Sequence, residues 1–113
     1  MSNPSIIKIN DTEYVRRDAI EPVGDTNGTP FVVGKAYVVR TVTMIVCGKC
    51  IGVVGQFLVL DEAAWIADTG RFSDFLAKGI VNEVEPTDGR VFIGLGSIVD
   101  VYGWKHATKW VQK

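Results

Sequence analysis

Apolar positions along this chain fall in short runs broken by glycine, asparagine, aspartate and proline, and most runs have the length of a strand rather than a helix. Ile6-Ile7-Lys8-Ile9, then Asn10-Asp11, then Thr12-Glu13-Tyr14-Val15 predict a β-hairpin. Asn and Asp tolerate the positive φ of a tight two-residue turn, and apolar residues flank it. Arg16-Arg17-Asp18-Ala19-Ile20 leaves room for one helical turn before Pro22. Gly24-Asp25-Thr26-Asn27-Gly28-Thr29-Pro30 is a loop by composition. It divides an N-terminal arm, residues 1–30, from a main domain, residues 31–113.

The β signal is dense from Phe31 onward. Residues 36–46 are rich in Val, Thr, Tyr and Ile, the β-branched and aromatic set that favours strands. Cys47-Gly48-Lys49 reads as a turn, the strand resumes over 50–54, and Gly55-Gln56 turns into a third strand over 57–60. Asp61-Glu62-Ala63-Ala64-Trp65-Ile66 fits either more strand or a short helix. The helix signal is over 71–78, with Phe72, Phe75 and Leu76 at i, i+3, i+4 and Gly79 as its stop. Short strands over 80–85 and 90–93 flank a Pro86-Thr87-Asp88-Gly89 turn, and 97–102 is the last clear strand. There is no internal repeat.

At 113 residues, 47% of them hydrophobic and 22% charged, the chain suits one domain with a real core. No apolar run approaches the roughly 20 residues of a membrane span. Met1-Ser2-Asn3-Pro4 lacks the pattern of a signal peptide, so a cytoplasmic protein is expected. Charge is uneven. Residues 41–103 carry four basic against eight acidic side chains, whereas the tail carries Lys105, Lys109 and Lys113. An acidic body with a basic tail is not the basic stripe of a nucleic-acid binder.

Candidate chemistry is sparse. Cys47-Gly-Lys-Cys50 has C-x-x-C spacing, but a redox pair needs a helix start after a strand, and this pair lies between strands. Tetrahedral zinc needs four ligands, and His106 is the sole histidine, so no metal or other cofactor is expected unless subunits share one. Both cysteines read as structural, and replacing them by Ser is expected to shift the melting temperature by only a few degrees. No Ser sits in a nucleophile elbow, and Asp61-Glu62 are neighbours that point apart, so no enzyme is expected. The polar loop 67–72 feeds the helix, with Thr69 as its cap and Arg71 in its first turn; it reads either as an ordinary capped surface helix, the favoured reading, or as an arrangement that suits a phosphate. Trp65 either stacks on a ligand or fills the core, the core being favoured.

Residues 42–63, from Val42 to Ala63, resemble the first Sm motif, with Gly48, Gly52, Leu60 and Ala63 at its expected positions. Residues 91–101 are similar to the second. The Asp-and-Asn loop with which Sm proteins bind RNA bases is collapsed to Gly55-Gln56, so that resemblance implies barrel geometry without RNA binding. Tyr14-Val15-Arg16-Arg17-Asp18, Tyr37-Val38-Val39-Arg40-Thr41 and Leu60-Asp61-Glu62-Ala63-Ala64-Trp65 together resemble small uncharacterised phage and prophage proteins, which implies a viral accessory gene acting in the host cytoplasm.

The expectation is a mostly-β protein: a small Sm- or SH3-like barrel with an N-terminal hairpin arm, one short helix and a basic tail that either grips a neighbouring subunit or remains mobile. It is expected to act by binding, as a homo-oligomer, and to hold a small anionic, nucleotide-like ligand with Arg40, Trp65, Asp68, Thr69 and Arg71. The alternatives are a structural protein that docks on a host or virion partner, and a Sm-like RNA binder.

Overall fold

A computed structural model describes residues 26–113 and, as backbone, the strands β1 (Ile7–Ile9) and β2 (Thr12–Tyr14). These two pair antiparallel with Ile7 opposite Tyr14, Lys8 opposite Glu13 and Ile9 opposite Thr12. The Asn10-Asp11 turn and the helical turn expected at 16–20 lie outside the described residues.

The body is a six-stranded antiparallel sheet: β3 (Ala36–Thr41), β4 (Ile45–Val54), β5 (Phe57–Asp68), β6 (Glu83–Pro86), β7 (Val91–Gly94) and β8 (Ile98–Trp104). The helix α1 (Phe72–Lys78) lies between β5 and β6, and one 3-10 turn, Leu95–Ser97, precedes β8. The hydrogen-bonded path runs β6-β5-β4-β3-β8, with β7 on a different stretch of β5 from β6. Among the described residues no helix is long and apolar enough to cross a membrane.

One sequence expectation changes here. Cys47-Gly48-Lys49 is not a turn: β4 runs through it unbroken. Of the two alternatives for 61–66, strand and short helix, the strand holds, as an extension of β5. The reason is pairing, since each long strand bonds to partners on both sides, which outweighs the turn preference of a lone glycine.

Alternation along β3, β4 and β5 divides the apolar residues between two clusters on opposite sides of the sheet. One holds Phe31, Val39, Val46, Cys50, Val53, Leu58, Leu60, Ala63 and Ile93, with Ile98 and Val101 packed against it. The other holds Val38, Cys47, Ala64, Ile66, Phe75, Val84 and Trp104. The helix covers this second side by inserting Phe75, fully buried, against the Trp104 ring at 4.8 Å. Burying such a side chain stabilises the fold by about 1.5–3 kcal/mol. Gly79 ends the helix at φ 74°, donating its N–H to the Phe75 carbonyl at 3.0 Å. A Cβ there would meet the His106 ring at 3.0 Å, so the position requires glycine for space as well as for φ.

Candidate functional site

The site is prepared by an irregularity where β4 meets β5. Cys47 faces Ala64 but Lys49 faces Asp61, so β5 carries an extra residue there; Cys50 faces Leu60 but Gly52 faces Val59, so β4 carries the next one. The two bulges cancel and leave both strands bent between halves that are in register. Gly48 makes the close passage possible: a Cβ on it would come within 2.8 Å of the Ala63 Cβ and 3.1 Å of the Asp61 carbonyl oxygen. Glu62, in the bulge, sits at φ 49°, an uncommon conformation for a residue with a side chain.

Glu62 is tied on several sides. Its carboxylate accepts the Thr108 hydroxyl proton and lies 3.5 Å from Lys49 Nζ, and its carbonyl accepts Trp110 Nε1–H at 2.8 Å. The tail is thereby folded onto its own body. Trp104 rests against His106 and Trp110, and the Lys113 N–H and carbonyl pair with Val84 at the β6 edge at 3.0 and 3.2 Å. Of the two fates expected for the tail, the mobile one is overturned: its tryptophans find apolar surface on the second cluster of the same chain.

Between this tail and the sheet lies a groove of about 740 Å³. Ala36 on β3 faces Lys49 on β4 and Trp104 on β8, so three strands set its floor in one row. The Gly34 N–H donates to the Cys50 carbonyl and the Cys50 N–H to the Lys35 carbonyl, both at 2.8 Å, which fixes Lys35 opposite Cys50. Lys105 and His106 complete the rim. The groove is therefore lined by three lysines, Lys35, Lys49 and Lys105, with the Glu62 carboxylate held at its edge by Lys49 and Thr108. His106 Nε2 lies 2.8 Å from the Leu76 carbonyl, so the proton sits on Nε2 and Nδ1 is left as an acceptor in the neutral ring.

The residues expected from sequence to hold a ligand do not share one cleft. Arg40 faces Asp100 across β3 and β8 and gives it two hydrogen bonds, at 2.6 and 2.5 Å, with the Tyr102 hydroxyl donating to the same carboxylate. The Arg40 hydrogen bonds hold the Asp100 carboxyl below its usual range. They raise the guanidinium further and leave it committed within the chain. Trp65 is 40% exposed and lines a different groove with Glu83, Glu85 and Lys113, so it is not the core residue that its type suggested. Asp68 accepts the Gly70 N–H at 2.8 Å in the turn before the helix. Thr69 donates to the Gly70 carbonyl and does not cap the helix. The N-cap position is Arg71, extended and without a side-chain cap bond, because the chain is still reversing at Gly70 when Thr69 passes. Sequence reasoning missed Lys35, Lys49 and Lys105; that they line one groove depends on the pairing of three strands that no local pattern announces.

Cys47 and Cys50 are free and fully buried, one in each cluster. Burial pushes both thiols upward from their ordinary range. Comparison with protein-family models, curated proteins and solved structures finds no match for this chain.

Proposed function

We propose that this is a non-catalytic binding protein of the phage accessory kind, built as a small SH3- or Sm-like barrel, which takes a small anionic, nucleotide-like ligand in the groove between its sheet and its tail. The observation that carries the reading is an open groove of about 740 Å³ lined by Lys35, Lys49 and Lys105, of which Lys49 alone is paired with a carboxylate, that of Glu62. Lysines act on phosphates as point charges, and a concave site with few polar anchors is the usual form of a small-molecule pocket. The ligand class is the one expected from sequence. Its place moves, because the Arg40 guanidinium is engaged by Asp100.

Barrel closure is supported by packing. Ile93 of β7, which pairs β5 off the main strand path, packs in one cluster with Ile98 and Val101 of β8, at the far end of that path. The Val42 N–H also reaches the Ser97 carbonyl at 3.0 Å, bringing the turn before β8 to the end of β3. The phage assignment rests on the sequence blocks alone.

The test begins with mass spectrometry of the supernatant from heat-denatured protein, followed by a nucleotide panel read as thermal shift. A ligand that binds only the native state stabilises it by about 2.7 kcal/mol at a hundredfold above its dissociation constant. Lys49→Ala and Lys105→Ala are expected to abolish that gain, and Arg71→Ala to preserve it. A panel without any shift, or a shift lost in Arg71→Ala and kept in the lysine variants, would refute the site.

A further inference from the structure

The lysines of residues 26–113 share two adjoining grooves. Lys35, Lys49 and Lys105 line the groove already described, and the other three, Lys78, Lys109 and Lys113, line a second one of about 430 Å³. Trp104, His106 and Ala107 line both, so the grooves meet along the tail. Arg40, Arg71 and Arg90, the arginines of the same residues, line neither. Counting charge along the chain hides this, because it sets a basic tail against an acidic body. Folding puts Lys105 in one groove with two lysines of the body, and Lys109 and Lys113 in the other with Lys78 at the end of the helix.

Half of these charges are uncommitted. Lys49 is paired with Glu62 at 3.5 Å and Lys78 with Asp74 at 3.9 Å, and Lys113 Nζ donates to the Val81 carbonyl at 2.8 Å. Lys35, Lys105 and Lys109 have no ion-pair partner among the described residues. A cleft lined by one sign of charge concentrates ligands of the other. Aromatic rings stand beside the lysines in both grooves, Tyr37 in the first and Trp110 in the second, each half-buried. The Trp110 ring is held in place, its N–H on the Glu62 carbonyl and its ring 5.7 Å from that of Trp104. Basic grooves with rings on which bases stack are how proteins hold single-stranded nucleic acid.

We propose that a single-stranded oligonucleotide lies across the tail, with its phosphates over the two lysine-lined grooves and a base against Trp110. This rests on the reading of the first groove as a nucleotide site and extends it, the nucleotide held there being one end of a strand. A mononucleotide engages one groove, whereas a chain of phosphates neutralises both. Neither groove includes Gly55-Gln56, so the contact is not the base-binding loop of Sm proteins.

Fluorescence anisotropy of the full chain with a labelled oligothymidylate of about eight nucleotides, a usual site size, tests it. Competition with unlabelled thymidylates from the mononucleotide upward gives affinity against length. The oligomer is expected to bind about a hundredfold tighter than thymidine monophosphate, since the second groove is then filled by a tethered phosphate. Its binding constant is expected to fall with salt, with a logarithmic slope of about 0.7 per phosphate held. Lys109→Glu and Lys78→Glu are expected to weaken the oligomer and spare the mononucleotide, Lys105→Glu to weaken both, and Arg90→Glu, outside both grooves, to change neither. A mononucleotide that binds as well as the oligomer would overturn the strand and leave the first groove standing. Failure of every length would overturn both readings. Inorganic polyphosphate of equal charge binding as tightly as the oligomer would overturn the assignment to nucleic acid.

Discussion

Cys47 and Cys50 are three positions apart, yet they enter different cores, because a strand sends positions of odd separation to opposite sides. Neither thiol is poised for chemistry, since desolvation favours the neutral form and the thiolate is the reactive species. A disulfide-exchange reagent is expected to leave the native protein untouched and to titrate two thiols after denaturation; rapid reaction of either in the native state would contradict this. Burial also changes the expected cost of substitution. Cys47→Ser strands a hydroxyl in apolar surroundings, a loss of about 1–3 kcal/mol. For a chain of this length each kcal/mol is roughly 4–8 °C in melting temperature, so the few degrees anticipated for the double change is too small. Chemical denaturation of Cys47→Ser against Cys47→Ala, which avoids the buried hydroxyl, measures the difference.

At the scale of elements, β4 and β5 decide the geometry of the site, and the decisive residue is Gly48. In sequence it signals a break; in the structure it permits a close pass over Ala63 and keeps the strand whole. Gly48→Ala is expected to destabilise the protein by about 1–3 kcal/mol, because backbone and a neighbouring Cβ have to give way. Gly96→Ala, whose Cβ meets nothing within 4 Å, serves as its control and is expected to change little. Urea unfolding of both variants checks the contrast, and equal midpoints would show that the bulge relaxes freely. The helix was the easiest element to read, since Phe72, Phe75 and Leu76 carry its period and Gly79 its stop. Its start was not, because Thr69 is spent on the turn and Arg71 takes the N-cap place.

On the scale of the whole molecule, β3, β4 and β5 each contribute to both clusters, so neither core can be lost while the other stands. Far-UV circular dichroism and tryptophan fluorescence, the latter reporting on Trp104 in the second cluster, are expected to give one coincident transition. Separate midpoints would mean that helix and tail unfold on their own. The strand-rich character, the helix, the pairing of β1 with β2 and the turn at 55–56 were legible in the sequence, because each is set by residues within a few positions of one another; the turn expected at 86–89 lies one residue later, since Pro86 ends β6. Trp65 shows where that ends: its type suggested the core, and the pairing of β5 with Glu85 on β6 left it partly in solvent. The fate of the tail, the pairing of Arg40 with Asp100 and the placing of Lys35, Lys49 and Lys105 along one groove belong to the tertiary structure alone. Each joins residues from strands far apart in the chain, and which residues meet depends on register and on two bulges that shift it. Local preference selects the elements; the pairing of strands, which must satisfy backbone hydrogen bonds and both cores at once, selects which charges face each other.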